Sequence, residues 1–371
     1  MVWRLALVFV LGVAAPTFAQ ESRSEMRLAE PEPDAPPTPG RRVGGTLLAL
    51  GPGFLVSGVG HWTIQRPVEA RRLLAAKGIG FASLVAGGAI LGLTGASRRT
   101  VGVGASLALR GAGPFFLSWL ADVYGAASAG LAKSGPALNA TYELGLAYRY
   151  VRDPIFDYAN FLAADAHLRL GRLRVSPSIA SALDDNNQRM RVETGVRAVG
   201  DPRSRGTSLD VVSAVTWHRF AGDGFQSVTM EASLNGRLNL RALGPSLQGS
   251  FAELSLGFAL QLFDYDAVDS GFGDGNGMLL GRAAFGMYLG RAPRSGELRF
   301  YYDHRKDGYV AGIGLGGAGA GVAGFVGADL TQWITERWGV HADLQLGSAH
   351  MITVGLRYRP NSGRIDPGSR R

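Results

Sequence analysis

No cysteine occurs in the 371 residues. That excludes disulfides, thiolate metal sites, cysteine nucleophiles and lipidation of an N-terminal cysteine. Lysine is nearly missing, at 3 of 38 basic residues, the other 35 being arginine. Charged residues make up 18% and hydrophobic ones 46%, too apolar a balance for a disordered chain. The net charge of +8 comes from scattered arginines, so no basic stripe for nucleic acid exists. Proline–glycine periodicity is absent, which excludes collagen although glycine numbers 54. Catalytic signatures are scarce too. There is no His-Glu-x-x-His, no Gly-x-Ser-x-Gly elbow and no phosphate loop. The glycines of 52–60 do not follow a strand as a dinucleotide fingerprint requires.

The first segments set an address. Arg4 precedes an apolar run from Leu5 to Ala15, and Thr17-Phe18-Ala19 places small residues before Gln20. Residues 1–19 thus read as a Sec-type signal peptide, too short in its apolar run to span a bilayer. Residues 20–42 are proline-rich and acidic, and read as a disordered leader. Residues 43–135 form a glycine- and alanine-rich hydrophobic region with apolar stretches at Val43–Gly60, Ile79–Ala96 and Val101–Ala127. The second stretch has 18 residues without a charge, and Gly88, Gly92 and Ala96 repeat the small-xxx-small spacing of helices packed in lipid. Arg110 and Pro114 interrupt the third. A helical hairpin in a membrane and a packed helical subdomain both fit. His61 beside Trp62 reads as a helix-end or interface residue.

Residues 137–359 alternate. Leu138, Ala140, Tyr142, Leu144, Leu146, Tyr148 and Tyr150 share one face, opposite Asn139, Thr141, Glu143, Gly145 and Arg149. In 225–240, Val228, Met230, Ala232, Leu234, Leu238 and Leu240 oppose Ser227, Thr229, Glu231, Ser233, Asn235, Arg237 and Asn239. This is the period-2 signal of a sheet with one apolar face. Many segments exceed the ~5–6 residues of soluble strands and reach the ~9–11 that a membrane strand needs. Aromatic residues such as Trp217, Trp338 and Tyr358 lie toward segment ends, where interfacial girdles form. The expectation is an all-β transmembrane barrel of about 12 antiparallel strands (10–14), with the apolar face on lipid, preceded by the helical region. Odd-numbered connections, aspartate-bearing and longer, face outside; short arginine-bearing turns face the periplasm. Tyr309–Trp333 is taken as one long strand with a bulge near Gly316–Gly321, where the alternation changes phase. Residues 360–371 form a charged tail.

The closing segment carries a resemblance. Gly327-Ala328-Asp329-Leu330, Ile334-Thr335-Glu336-Arg337-Trp338-Gly339-Val340, Gly347 and Gly355-Leu356-Arg357-Tyr358 resemble the last strands of bacterial outer-membrane β-barrel proteins. In those families a Thr-x-Arg/Asn-Trp-Gly turn joins periplasmic strand ends. The resemblance covers about 325–359 and implies outer-membrane lipid and the barrel assembly machinery as partners. Asn361–Arg371 replaces the usual terminal aromatic.

The phase of the alternation assigns the lumen. It receives Glu143, Arg149, Asp165, Arg169, Arg174, Arg189, Arg191, Glu193, Arg197, Asp210, Glu231, Arg237, Glu253, Arg282, Glu297, Arg299, Asp303, Asp329, Asp343, Arg357 and Arg359. Near-balance of the two signs suits a salt-bridged, partly filled interior better than a one-signed constriction. Ser348 and His350, two apart on the lipid-facing side near the outer rim, are a candidate nucleophile–base pair, with a polar turn as the other reading. Asp264, Asp266, Asp269 and Asp274 offer oxygens for a hard cation but miss the helix-loop-helix calcium spacing, and read as a solvated loop. No cofactor is expected. The function expected is a structural or pore-type outer-membrane barrel. The alternatives are a lipid hydrolase or deacylase, and an exported soluble barrel binding an apolar ligand.

Overall fold

The computed structural model describes residues 37–360, apart from 96, 98, 133, 137–139, 155–159, 222–223, 266–273, 292, 306–307 and 311–323. The signal peptide, most of the leader, the charged tail, Asp266, Asp269 and the expected bulge at Gly316–Gly321 lie outside the described residues. Four helices come first: α1 (Pro39–Leu50), α2 (Val59–Thr63), α3 (Pro67–Leu93) and α4 (Val101–Ser128). A 3-10 turn, Pro52–Phe54, links α1 to α2. Twelve strands follow: β1 (Tyr142–Arg152), β2 (Asn160–Leu170), β3 (Leu173–Ala182), β4 (Gln188–Val199), β5 (Ser208–Arg219), β6 (Phe225–Asn239), β7 (Ser250–Tyr265), β8 (Asp274–Arg291), β9 (Arg294–Asp303), β10 (Phe325–Trp333), β11 (Trp338–Leu346) and β12 (His350–Tyr358).

Each strand pairs antiparallel with the next, and β1 pairs with β12, closing the barrel. Closure leaves no unpaired edge, the condition for spanning lipid with strands. Alternation fixes which way each side chain points. Leu144, Leu234 and Val354 are 45%, 41% and 57% exposed on the outside, whereas the side chains of Glu231 and Glu297 are each 6% exposed inside. An apolar exterior around a charged interior is the pattern of a transmembrane barrel and the reverse of a soluble one.

Three expectations need correction. The helical region begins at Pro39, inside the expected leader; proline suits a first helical turn because its missing N–H would have no intrahelical partner. The long strand expected from Tyr309 does not start there: Tyr309 and Val310 belong to a loop folded inward, and β10 starts at Phe325. Among the described residues a register shift falls between Arg197 and Val199, in β4. Asp264 belongs to β7, where its carboxylate accepts a hydrogen bond from Gln226 Nε2 at 2.8 Å.

The helices lie against the outer wall. Outward-facing positions of β8 include Gly281, Ala283, Phe285 and Met287, and α4 packs on the small ones. A Cβ at Gly113 would stand 2.5 Å from Leu254 Cδ2, and one at Gly281 3.1 Å from Leu109 Cδ1. Leu73, Leu117, Ala121, Leu240, Leu247 and Phe285 make a buried cluster between helices and wall. Phe285 is 3% exposed there, while the equally outward Phe258 is 66% exposed away from the helices. From Leu109, level with the end of β9, to Ser128, at the turn end, α4 rises roughly 28 Å at ~1.5 Å per residue. That matches the ~30 Å hydrocarbon core of a bilayer.

α3 and α4 form an antiparallel hairpin joined by glycine. A Cβ at Gly80 would meet Phe115 N at 2.6 Å, at Gly87 Ala108 N at 2.4 Å, and at Gly111 Leu84 N at 2.3 Å. Such backbone approach is how helices gain dispersion contact where lipid offers no hydrophobic drive. Gly88 and Gly92, singled out by their spacing, have nothing within 4 Å and face away. The interface uses the seven-residue pairs Gly80/Gly87 and Gly104/Gly111 instead. Pro114 does not end α4, which runs through it. On its other side α3 exposes Ile79, Phe81, Val85 and Leu93, and it is long and apolar enough to cross a membrane.

Candidate functional site

The inward side chains make several ion-paired groups, some with shared partners. At the turn end, Glu143 is held by Arg169 at 3.3 Å and Arg205 at 2.8 Å. Arg237 bridges Glu253 at 2.5 Å and Glu297 at 3.0 Å, and Arg299 joins Glu253 at 3.4 Å to Asp329 at 2.9 Å. Midway, Arg191 pairs with Glu231 and, at 3.2 Å, with Glu193, which also holds Arg174 at 2.6 Å. Arg197 meets Asp210 at 2.8 Å, Arg357 meets Asp165 at 3.1 Å, and Arg282 lies 3.8 Å from Asp329. Tyr301 Oη donates to Asp343 at 2.8 Å, and Arg149 Nε donates to Thr353 Oγ1 at 3.2 Å. Asp303 lies 3.9 Å from Arg305. Shared partners matter because a buried ion is tolerated only when its remaining lone pairs and protons are also satisfied. The void left among these groups is about 630 Å³.

Both ends of the lumen carry inserted groups that sequence reasoning missed. The 200–207 turn sends Arg205 inward to Glu143, while its own carbonyl accepts from Arg237 at 2.9 Å and from Tyr288 Oη at 3.2 Å. Glu143 raises the affinity of the Arg205 guanidinium for its proton, so this contact keeps its charge. Nearby, Arg359 stacks on Trp333 and donates to Glu336 O at 2.9 Å and Pro293 O at 2.7 Å, which keeps it at the rim rather than in the lumen. At the loop end, Tyr309 and Val310 pack with Val151, Phe161, Phe325 and Met351. The Tyr309 phenol donates to Asn187 Oδ1 at 3.2 Å, and burial pushes its pKa up to about 12, so it stays a donor in any physiological buffer. Arg305, on the same loop, reaches Glu231 at 2.9 Å.

A second polar cluster sits outside the wall, among the helices. α1 runs back along the end of α4, with Arg42 Nε on Ala127 O at 3.1 Å and Trp119 Nε1 on Ala49 O at 2.9 Å. The chain then turns at Phe54, whose ring meets Trp119 at 5.3 Å and Phe115 at 6.0 Å, and returns through α2. This re-entrant turn exposes backbone donors to an apolar setting, where each unpaired one costs several kcal/mol. The buried Asp122 carboxylate accepts them: Gly58 N at 2.7 Å, Gly60 N at 3.3 Å and His61 N at 3.1 Å. It also takes His61 Nδ1 at 2.6 Å, and His61 Nε2 lies 3.0 Å from Ser246 Oγ in the β6–β7 turn. Lys77 is buried close by, its ammonium 4.0 Å from the Phe115 ring centroid.

The pair foreseen in the sequence lies elsewhere. Ser348 is in the β11–β12 connection and His350 opens β12, both exposed. The serine–histidine contact with a carboxylate behind it is formed by Ser246, His61 and Asp122. Their positions, 61, 122 and 246, share no local motif, so no sequence signal joined them. Among the described residues no group of three or more His, Cys, Asp or Glu could hold a metal ion. The Asp274 backbone belongs to β8.

Fold and lumen define an integral outer-membrane-type β-barrel. No family model matches the sequence, and no curated protein matches it. Solved structures do. The KdgM porin, in complex with disordered oligogalacturonate, aligns with TM-score 0.37 at 8% identity, covering 59% of this chain and 99% of its own. The translocator domain of the autotransporter NalP from Neisseria meningitidis aligns with TM-score 0.32 at 13% identity, over 64% and 93%. An active-site mutant of outer membrane phospholipase A from Escherichia coli gives 0.33 at 13%, over 64% and 98%.

Proposed function

We propose that this protein is a closed outer-membrane barrel acting as a rigid frame for a helical unit embedded beside it in the bilayer. The observation that carries the reading is the packing of α4 on the lipid side of β7 and β8, with α3 packed on α4, rather than in the lumen. A barrel built to conduct would keep its mouths clear; here Arg205 fills one end and Tyr309 the other. The turn end is periplasmic, and α3 and α4 run between the two membrane surfaces. Arg71 and Arg72 lie at the periplasmic end of α3, where Arg72 donates to Leu243 O at 2.6 Å. The exposed apolar face of α3 continues the lipid-facing band of the strands. Outer-membrane lipid surrounds both.

Planar-bilayer recording tests the frame reading. Wild-type protein is expected to give no steady unit conductance, and a constant open channel would overturn the reading. Fractionation supplies the address: the protein should sediment with outer membranes and show heat-modifiable migration on gels. A soluble protein of unchanged mobility would sink the membrane assignment.

A further inference from the structure

We propose that Ser246, His61 and Asp122 form a site that cleaves acyl esters of membrane phospholipids. Ser246 Oγ lies 3.0 Å from His61 Nε2, and Asp122 Oδ1 lies 2.6 Å from Nδ1. This is the order in which a carboxylate fixes the imidazole tautomer and the imidazole accepts a hydroxyl proton. Three backbone donors hold Asp122 in place, so the relay is pre-oriented. Gly125 packs against the imidazole, where a Cβ would stand 2.3 Å from Nε2, so a larger residue would displace the base. Buried ionisable groups beside lipid are costly, and four of them, His61, Glu69, Lys77 and Asp122, lie in this unit.

Location selects the substrate class. The β6–β7 turn places Ser246 at the membrane edge, where the ester linkages of phospholipids reside. A groove of about 420 Å³ lies on the outer side of α1, lined by Val43, Thr46, Leu47 and Ala127, with Arg42 at its rim. Ala127, at the groove floor, is two residues from Gly125 on α4 and so faces the other side of that helix from the imidazole. Apolar walls suit an acyl chain and the guanidinium suits a lipid phosphate. Ser246 is 1% exposed, so the cover over the site must part to load it while α2 keeps His61 on Ser246.

In the reaction, Ser246 Oγ attacks the ester carbonyl carbon while its proton passes to His61 Nε2. Asp122 stabilises the imidazolium. The C–O bond then breaks, and the departing alcohol takes the proton from His61. Water repeats the sequence on the acyl-serine, releasing a fatty acid and restoring Ser246. The site stands whether or not the lumen conducts.

Full-length protein in phosphatidylethanolamine vesicles is treated with a fluorophosphonate, and peptides are mapped by mass. An adduct on Ser246 is expected, together with fatty-acid release that Ser246→Ala abolishes. His61→Gln should slow adduct formation by roughly 10²-fold or more. Heat-modifiable migration identifies the folded fraction of each variant. No adduct on Ser246 in folded wild-type protein overturns the proposal, and so does fatty-acid release that survives Ser246→Ala.

Discussion

Adjacent glycines in α3 should respond oppositely to the same added methyl. In Gly87→Ala the new carbon would stand 2.4 Å from Ala108 N and 2.6 Å from Gly104 O, both backbone atoms. Ordinary contact begins at 3.4 Å, so α3 and α4 must separate by about 1 Å (3.4 − 2.4). Overpacking of this kind costs about 1–3 kcal/mol. In Gly88→Ala nothing lies within 4 Å, and the helix gains about 1 kcal/mol of intrinsic propensity. Both variants share that propensity gain, so their difference isolates the clash. The absence of native cysteine permits a single reporter at Ala121, buried between Leu73 and Leu117. Maleimide labelling there follows the open population of the hairpin. At ~1.4 kcal/mol per tenfold, the Gly87→Ala reporter should label roughly 5–150 times faster than the Gly88→Ala one. Equal rates would refute the hairpin interface.

Other outcomes follow from the same geometry. Leu234→Arg puts a charge on the lipid face and should cost about 2–4 kcal/mol near the bilayer midplane. It should sharply reduce yield in outer-membrane fractions, while Glu231→Gln assembles better; the opposite ranking would invert the barrel faces. Arg205→Ala leaves Glu143 with Arg169 alone and should lower the urea midpoint by an amount equivalent to a few kcal/mol. The double variant Arg205→Ala/Tyr309→Ala removes an inserted group from each mouth and should give bilayer currents that wild type lacks. If it stays silent at normal assembly, those two side chains are not what closes the lumen.

The barrel was legible because its code is local. A period of two over eleven or more residues, as at Tyr142–Arg152, states both element and face. Inward charges such as Glu231 and Arg237 followed from that phase alone. Arg205 and Tyr309 did not, because connections have no period and nothing in 200–207 or 304–310 announces an inward fold. The docking of the helices left a fainter trace. Outward positions of β8 fall to Gly281 and Ala283 in mid-strand, where lipid would favour larger residues. The alternation survives that dip, which marks where α4 sits. Gly88 and Gly92 misled because spacing alone does not say which helix face meets a neighbour. The cluster of Ser246, His61 and Asp122 was invisible for a further reason: it exists only once a strand connection and two helices meet.

The helices precede every strand in the chain, yet they rest on β7 and β8, almost diametrically opposite the β1–β12 junction. The segment after Ser128 must therefore run under the mouth to reach β1, and Gly249 near Ala132 and Gly206 near Pro136 trace that route. This ordering constrains biogenesis. The first-synthesised part of the molecule has no wall to rest on until more than half the strands are laid down. The final event, zipping of the last strand onto the first, takes place on the far side, out of reach of the helices. During insertion the apolar hairpin must wait in company other than its own barrel.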